Sequence, residues 1–429
     1  MPFPQPASGL VPTGGPGPTG AGNRGEALLP PLVLGSWLLS RLLFFGPLLI
    51  AVQRQAPGSL ASRLSQWDAA HYLQIVTEGY SGDNFAFFPF FPYFTRLTAS
   101  LLQLPPLAVA LVLSNGAFLI ALGLLYRLSQ QCQGNATARS VVLLSCFNPM
   151  SIFFAIPYTE SLYLLFTCQA LLELLRPRLH APRIAFIGAL IAATRPTGLV
   201  IAPAILVAFG RQRRLATGLV VALLALGGLG AVAWINLHLS GNPLAFVQAQ
   251  KAWNVQPGFN LSGLPSWNKL LTQVLFGLAN TRAGALIDRV HPLLITASLL
   301  VGVAAFRLRH KRPRSSFLLS LLAFLAYWLL AGMPGLNLLL VVGAALLICW
   351  GYRRLPLELW IFGAASLALY LLKQNTISLE RHIFATAPLL MLYGAWFEQH
   401  QQWRRFLLGF GSLLLLLYAL RFAQGLWIG

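Results

Sequence analysis

Long apolar runs alternate with short polar segments along most of the chain. Each run approaches the roughly 20 residues that cross the hydrocarbon core of a bilayer, and the runs are apolar on all sides. The pattern predicts an all-α polytopic membrane protein with about eleven spans. They fall near 32–52, 106–127, 138–156, 158–175, 215–238, 290–307, 316–331, 335–351, 357–373, 383–397 and 405–425.

The apolar stretch 184–209 differs from these runs because the segment 194–198, Thr-Arg-Pro-Thr-Gly, interrupts it. A proline and a glycine at this point suit two half-helices, since broken helices are tolerated where protein receives the freed backbone groups. If the pair is re-entrant, most of the 30 lysines and arginines lie on the cytoplasmic side. If the stretch crosses the bilayer instead, fewer than half of these basic residues lie on the cytoplasmic side. The positive-inside rule therefore favours a re-entrant helix pair.

Three polar segments complete the predicted organisation. Residues 1–27 are rich in Pro and Gly without an apolar period, which is typical of a disordered tail, here on the cytoplasmic side. The remainder, 28–429, is predicted to form one transmembrane domain. Its long connections, 53–105 and 239–289, both lie on the external side in this topology, and the first has room for short interfacial helices.

The composition narrows the class of function. The net charge of +20 comes from basic bursts between apolar runs, which is an orientation signal of membrane proteins rather than a nucleic-acid surface. The chain has no Walker loop, dinucleotide fingerprint or His-Glu-x-x-His motif. With only ten acidic residues it has no place for a soluble nucleotide-sugar domain, so any sugar donor is expected to be lipid-linked. The four cysteines show no metal or pairing pattern.

Asp68 is the first candidate for chemistry. It lies in Trp67-Asp68-Ala69-Ala70-His71-Tyr72, directly after the first span, where a carboxylate at the bilayer edge requires a partner or a task. In a helix His71 shares a face with Asp68, so the pair could act as a poised general base. The alternative is that Asp68 caps a helix.

Glu160 and Arg195 are charged residues next to or within apolar segments. Glu160 could hold a substrate hydroxyl, support Asp68 or ligate a cation, or it could be an acid at a helix start that suits the macrodipole. Arg195 lies in the break of the re-entrant stretch. It could bind a phosphate or pair with an acid such as Glu160.

Arg381 and His382 follow Glu380 at the external start of a span, with Lys373 before them. Positive charge at a helix N-terminus opposes the macrodipole, which disfavours a merely structural role. A phosphate would gain from both the guanidinium and the free backbone N–H groups. The phenylalanines and tyrosine of 85–93 either form an interfacial aromatic belt or wall a lipid chain.

Taken together, these motifs resemble the PIG-V family, which contains the second mannosyltransferase of glycosylphosphatidylinositol anchor assembly and many bacterial relatives. The resemblance is carried by Trp67-Asp68-x-x-His71-Tyr72-Leu73 with Gly79-Tyr80, by the Phe87-Phe88-Pro89-x-Phe91-Pro92 box, and by Asn148-Pro149 with Tyr158-Thr159-Glu160-Ser161-Leu162. The Pro/Gly tail and compact loops suggest a bacterial relative.

The resemblance implies a GT-C fold, a polyprenyl- or dolichyl-phosphate mannose donor and Asp68 as catalytic base. Arg381, with Lys373 or Arg195, would stabilise the leaving phosphate, and Trp67, His71, Tyr72, Glu160 and His382 would complete the substrate site. No metal or other cofactor is expected. The acceptor would be a hydroxyl group of a lipid, a glycan or a protein. Membrane lipids would surround the protein itself, and no nucleic acid is expected as a partner. The location would be the plasma membrane of a bacterium or the ER membrane of a eukaryote.

Two alternatives remain open at this stage. A transferase of another sugar, or of a whole oligosaccharide, would use the same kind of carrier, and metal dependence through Asp68 and Glu160 would favour the oligosaccharide version. A lipid or solute transporter would also explain a broken helix and charges at membrane depth. The sequence shows no inverted repeat and no second broken helix in a matching position.

Overall fold

The computed structural model describes residues 29–54, 59–253, 264–372, 376 and 378–428. Within these ranges the regular structure is helical and contains no β-strand. The predicted tail 1–27 and the candidate residue Lys373 lie outside the described residues. The all-α class predicted from the hydrophobic pattern is confirmed.

The first part of the chain follows the predicted order of spans and loop. A first span is followed by three short helices in the polar segment 53–105, and then by a long second span and two shorter helices. These are α1 (Pro31–Gln53), α2 (Ser59–Leu64), α3 (Asp68–Thr77), α4 (Phe90–Leu102), α5 (Pro106–Gln133), α6 (Asn135–Phe147) and α7 (Glu160–Leu174).

The predicted span 138–156 is wrong at its C-terminal end. The helix α6 stops at Phe147, and the chain continues as a 3₁₀ helix, Pro149–Phe154. Pro149 supplies no backbone N–H, and the Asn148 side chain accepts a hydrogen bond from the Met150 backbone N–H at 2.9 Å. This early stop leaves a buried turn before α7, and Glu160 becomes the first helical residue of α7.

The interrupted stretch forms a helical hairpin of α8 (Ala181–Thr194) and α9 (Ile201–Arg211), joined by a 3₁₀ turn, Pro196–Val200. At Gly198 a Cβ would lie 2.4 Å from the Ile191 carbonyl oxygen, so the two arms meet closely near the turn. At the open end, the Gln212 amide donates to the Pro177 carbonyl at 3.1 Å. Both ends therefore lie on one side, as the re-entrant prediction requires.

The hairpin packs against α10 (Leu215–Ser240) through small residues. A Cβ at Gly228 would lie 2.0 Å from the Ala189 carbonyl oxygen, so only glycine allows this approach. The open end of the hairpin is bound to the helix that contains Glu358, because Arg211 donates to both carboxylate oxygens of Glu358 at 2.9 and 3.0 Å. The hairpin is thus fixed at both its packed face and its base.

The second half returns the chain to the polar segment 53–105, where Arg381 contacts Asp68. The segment 239–289 contains helices of its own, and the predicted spans at 316–331 and 335–351 correspond to two helical segments of α14 that meet at Gly332, whose φ of 58° and ψ of −143° are not helical. The helices are α11 (Ala245–Ala249), α12 (Leu264–Ala283), α13 (Val290–Leu308), α14 (Pro313–Gly351), α15 (Leu357–Leu372), α16 (Leu379–Phe384), α17 (Ala387–Gln399) and α18 (Gln401–Ala423).

Six of the described helices are long and apolar enough to cross a bilayer, namely α1, α5, α10, α13, α14 and α18. Shorter apolar helices, including both arms of the hairpin and α15, pack among them. Large apolar side chains such as Leu223, Leu293 and Leu300 remain exposed on α10 and α13, which is typical of a surface that faces lipid. The chain is a multi-pass membrane protein.

Candidate functional site

Asp68 is the first residue of α3, and its backbone setting is unusual. The helix N-cap is Trp67, which has φ 53° and ψ −128° and makes no side-chain capping bond. A non-glycine residue in this region costs about 1–3 kcal/mol and persists only where its surroundings hold it. The Asp68 carboxylate is directed to a distant partner, so the capping interpretation is not what the structure shows.

That partner is Arg381 of α16. Its Nη1 lies 3.0 Å from Asp68 Oδ2, and its Nε lies 3.0 Å from Glu160 Oε1. The guanidinium also lies over the rings of Phe153 and Tyr158, with centroids at 5.1 and 5.3 Å. Burial by itself lowers the pKa of Arg381, but the carboxylates of Glu160 and Asp68 raise it above its ordinary value. Arg381 therefore remains a cation between two acids.

Glu160 continues the chain of charges. Its side chain is 1% exposed, and Arg195 Nη1 lies 3.5 Å from the same Oε1 that faces Arg381. Arg195 Nη2 in turn lies 2.8 Å from His382 Nδ1. Asp68, Arg381, Glu160 and Arg195 alternate acid and base from the loop towards the turn of the hairpin, and His382 lies next to Arg195 at the end of the series. One carboxylate thus holds two guanidinium groups near each other.

His382 and Arg195 are held by aromatic rings as well as by their polar contact. The His382 ring stacks on Tyr370 of α15 at 5.4 Å, and the Arg195 guanidinium lies 5.2 Å from the Tyr163 ring centroid. The Thr386 hydroxyl donates to the His382 carbonyl at 2.9 Å. These contacts restrict the orientation of both side chains in a mostly buried site.

The exposed fraction of the side chain differs among these charged residues, and this decides which of them a substrate reaches first. The side chain of Asp68 is 21% exposed and that of Arg381 is 12% exposed, whereas Arg195 is 9% and Glu160 is 1% exposed. Asp68 is thus the charged group nearest to solvent, and Glu160 lies deepest. Charges in such a site interact more strongly than in water. A substrate reaching Asp68 would meet Arg381 first among the cations.

The other candidates near Asp68 pack around its helix. His71 Nδ1 lies 2.6 Å from Asn84 Oδ1, and its ring stacks on Phe87 at 4.8 Å. Tyr72 packs edge-on against Phe87 and Phe91. Burial raises the pKa of Tyr72, and the carboxylates of Asp68 and Glu160 raise it further, so Tyr72 stays protonated. Both residues lie on α3 with Asp68, and the helix that the spacing of Asp68 and His71 predicted is present.

The aromatic box divides into inner and outer rings. Phe87, Phe88 and Phe91 pack inwards, whereas Tyr93 and Phe94 of α4 are 36% and 39% exposed. The inner rings support His71 and Tyr72. The outer rings belong to a partly exposed apolar face, so the same short motif contributes both to the site and to the surface.

Arg41 is a second buried arginine, and it binds the segment that precedes Glu160. The sequence did not indicate its partners. Arg41 of α1 donates from Nη2 to the Ser151 carbonyl and hydroxyl at 3.1 and 2.8 Å, and from Nη1 to Asn115 Oδ1 at 3.2 Å. Asn115 also donates to the Ala155 carbonyl at 2.9 Å. This network fixes the turn that precedes Glu160. A charged residue within the first apolar run was the only sequence signal.

Trp67 has two aromatic neighbours at the far end of the chain. Its ring lies 5.4 Å from Phe422 of α18 and 5.3 Å from Trp427. Neither neighbour stands out in the sequence, because both lie in an apolar context.

Among the described residues, no group of three or more His, Cys, Asp or Glu side chains is arranged to hold a metal ion.

Comparison with known proteins places residues 38–211 in a family model described as Mannosyltransferase (PIG-V). A GPI alpha-1,6-mannosyltransferase 2 of Rattus norvegicus is 36% identical over 155 residues, which is 33% of this chain and 31% of the relative. The Homo sapiens protein of that name is 34% identical over 154 residues, 33% of this chain and 30% of the relative. The match thus spans about a third of these relatives' length.

Two solved structures are similar over most of the chain at low identity. An oligosaccharyltransferase of Archaeoglobus fulgidus has a TM-score of 0.42 at 14% identity and covers 92% of this chain and 52% of its own. ArnT from Cupriavidus metallidurans, bound to undecaprenyl phosphate, has a TM-score of 0.37 at 14% identity and covers 91% and 78%. Residues 38–211, which include Asp68, Glu160 and Arg195, match the model of the PIG-V mannosyltransferase family.

Proposed function

We propose that this protein is an inverting GT-C glycosyltransferase that moves mannose from a polyprenyl- or dolichyl-phosphate carrier to a hydroxyl group on the external face of the membrane. The observation that carries the proposal is the bridge made by Arg381, which joins Asp68 and Glu160 of the PIG-V segment. The names of the matched relatives, GPI alpha-1,6-mannosyltransferase 2, support mannose as the sugar.

Asp68 is the proposed general base because its carboxylate is more exposed to solvent than that of Glu160, and because it begins a helix beside the membrane. Its carboxylate takes the proton from the acceptor hydroxyl as that oxygen bonds to the anomeric carbon. The bond between the anomeric carbon and the phosphate oxygen breaks, and its electron pair leaves with the phosphate. A single displacement converts a β-linked donor into an α-mannoside.

Arg381 and Arg195 are the proposed phosphate-binding groups. A carrier phosphodiester becomes a monoester when the sugar leaves, so negative charge grows on its oxygens during the reaction. Fixed guanidinium groups that meet this charge lower the barrier without reorganising. Glu160 acts on both arginines through Oε1, so it would set the distance between them. His382, held against Arg195, would orient the second arginine, and Lys373 would be a third phosphate ligand.

The remaining substrate contacts are assigned to the ring-rich side of α3. Trp67, His71 and Tyr72 would contact the sugar or the acceptor, since aromatic and imidazole groups offer both stacking surfaces and hydrogen bonds. The acceptor is a lipid, a glycan or a protein hydroxyl. The location is the plasma membrane in a bacterium or the ER membrane in a eukaryote, and catalysis is proposed to be independent of a divalent metal.

The test is transfer of radiolabelled mannose from its polyprenyl phosphate in membranes that contain the wild-type protein, Asp68→Asn or Asp83→Asn. The first variant keeps the shape of the side chain and removes its basicity, and the second removes an exposed acid from the same loop. Transfer by wild type and Asp83→Asn, lost in Asp68→Asn and indifferent to a chelator, is the expected result. Full activity of Asp68→Asn would overturn its role as base.

The same assay separates the competing functions. Transfer only from glucose, galactose or arabinose carriers would replace mannose with another sugar while keeping the site assignment. Loss of transfer on chelation would contradict metal independence and favour carboxylate-bound metal chemistry. No transfer from any carrier would overturn the proposal and favour the transporter interpretation, for which the hairpin with Arg195 at its turn is the supporting observation.

A further inference from the structure

Trp67 adopts a backbone conformation that its own sequence does not favour. Its φ of 53° lies in the left-handed region, where a side chain with a Cβ is disfavoured. Its carbonyl oxygen nevertheless accepts the Ala70 N–H at 3.0 Å and so opens the first turn of α3. The direction in which Asp68 leaves this turn therefore depends on how Trp67 is held.

Two rings from the C-terminal part of the chain enclose the Trp67 indole. Phe422 lies at 5.4 Å with planes tilted by 60°, and Trp427 lies at 5.3 Å in an edge-to-face arrangement of 77°. Phe422 is 1% exposed and is itself held edge-on by Phe44 of α1 at 5.6 Å. The indole thus packs against a fixed ring on one part of its surface and against Trp427 on another.

Trp427 reaches this position because the chain folds back after α18. The Leu426 N–H donates to the Arg421 carbonyl at 3.0 Å, and Arg421 Nη2 donates to the Trp427 carbonyl at 3.3 Å. Gly425 has φ 75°, and a Cβ there would lie 2.6 Å from Arg63 Nη1 of α2. The turn is therefore shaped to lie against α2 and Trp67.

We propose that Phe422 and Trp427 are positioning residues, which hold Trp67 in its left-handed conformation and thereby aim the Asp68 carboxylate. They act through Trp67 and do not contact the reacting groups. The kinetic part of this proposal rests on Asp68 being the general base, whereas its structural part does not. Both residues lie outside the segment 38–211 that matches the family model, so this support for the site comes from the other end of the chain.

The experiment compares Trp427→Leu with Trp427→Phe in the full chain, purified into lipid nanodiscs. Leucine keeps an apolar side chain without a ring, and phenylalanine restores the ring. Trp403→Leu is the matched control, because Trp403 also packs ring against ring, with Phe317 and Phe324 at the other end of α18. Hydrogen–deuterium exchange of amides 69–73 is measured first, since exchange reports local opening.

We expect faster exchange of these amides in Trp427→Leu, with exchange close to wild type in Trp427→Phe and Trp403→Leu. In the transfer assay, Trp427→Leu should lower kcat about tenfold or more, because small displacements of a reacting group are costly. The donor KM should stay within about twofold, and Trp427→Phe should restore most of kcat. Combined with Trp67→Gly, Trp427→Leu should cost little more, since glycine adopts positive φ without support.

Unchanged exchange in Trp427→Leu would overturn the proposal, whatever the transfer assay gives. Faster exchange with an unchanged kcat, or an equal loss in Trp403→Leu, would also contradict a positioning role. If wild-type protein transfers no sugar from any carrier, the proposed function fails. The exchange comparison still decides in that case whether the two rings order the start of α3.

Discussion

Arg381 Nη1 lies 3.0 Å from Asp68 Oδ2, although the two residues are 313 positions apart in the chain. One belongs to the first helical turn after a strained tryptophan, and the other to a six-residue helix that precedes α17. The pair forms only when the N-terminal loop and the C-terminal helices are assembled. The site therefore combines the segment that matches the family model with a part of the chain that the model does not cover.

Replacing Arg381 should weaken donor binding. A charge-assisted hydrogen bond contributes about 1.5–3 kcal/mol, so Arg381→Ala should raise the Kd of a polyprenyl phosphate by about ten- to hundredfold. Arg381→Lys should give a smaller loss, because lysine keeps the charge but not the planar fork. Titration of the purified protein with the carrier lipid measures this. Arg289→Ala, which removes an exposed cation before α13, is the control, and unchanged affinity in Arg381→Ala would exclude the phosphate role.

Neutralising Glu160 should destabilise the protein. The Glu160→Gln change leaves Arg381 and Arg195 buried without the carboxylate that they share, and the loss of one partner of a buried pair typically costs about 3–5 kcal/mol. We expect a clear fall in the midpoint of thermal unfolding in detergent. Glu78→Gln, an exposed acid bonded to Gln74, should change it little. Equal midpoints for wild type and Glu160→Gln would show that the pair is not stabilising.

A single methyl group distinguishes two adjacent glycines of α10. Gly228→Ala places a Cβ 2.0 Å from the Ala189 carbonyl oxygen, whereas a Cβ at Gly227 meets nothing within 4 Å. Gly228→Ala should lower folded yield and thermal stability because overpacking of backbone cannot relax by a rotamer change. Gly227→Ala should match or exceed wild type, since alanine favours helix. Size-exclusion profiles after heating compare them, and similar behaviour would contradict the close packing of the hairpin on α10.

Tyr80 should contribute to the alkaline limit of stability. Burial raises its pKa well above 10, and its hydroxyl donates to the Phe87 carbonyl at 2.8 Å. The unfolded chain ionises this tyrosine near pH 10, so the contribution is present below that pH and is lost as pH rises towards the folded-state pKa. Tyr80→Phe should be less stable at neutral pH and lose less stability above pH 10. Unfolding curves at pH 8 and pH 11 test this, and an identical pH slope would refute it.

The hydrophobic pattern was sufficient for the helices but not for their contacts. It predicted α1, α5 and the break at Arg195, because span length and a Pro-Gly interruption are local properties of the chain. It also singled out Asp68, Glu160, Arg195 and Arg381 as charges out of place near lipid. The order of pairing among them is a tertiary property, and no periodicity encodes that Glu160 faces two arginines through one oxygen.

The errors have equally specific causes. The span predicted over 138–156 ignored that the Asn148 amide caps the end of α6 by donating to the Leu144 and Ser145 carbonyls, and that Pro149 lacks the N–H needed to continue the helix. The partners of Arg41 and the rings around Trp67 were not predicted, because serine carbonyls and phenylalanines in apolar runs look like ordinary span residues. Such contacts depend on which helices are neighbours, and this is decided by packing rather than by composition.

The re-entrant hairpin also determines whether the number of membrane crossings between Asp68 and Arg381 is even or odd. Asp68 and Arg381 touch, so the chain between them must cross the bilayer an even number of times. A hairpin whose two ends share one side adds nothing to that number, whereas a continuous helix over 181–211 would add one crossing. If a continuous membrane-spanning helix replaced the break at Arg195, every later segment would lie on the other side of the membrane. Arg381 would then lie in the opposite leaflet from Asp68. The short interruption between Thr194 and Ile201 therefore keeps the two halves of the site on the same side of the membrane.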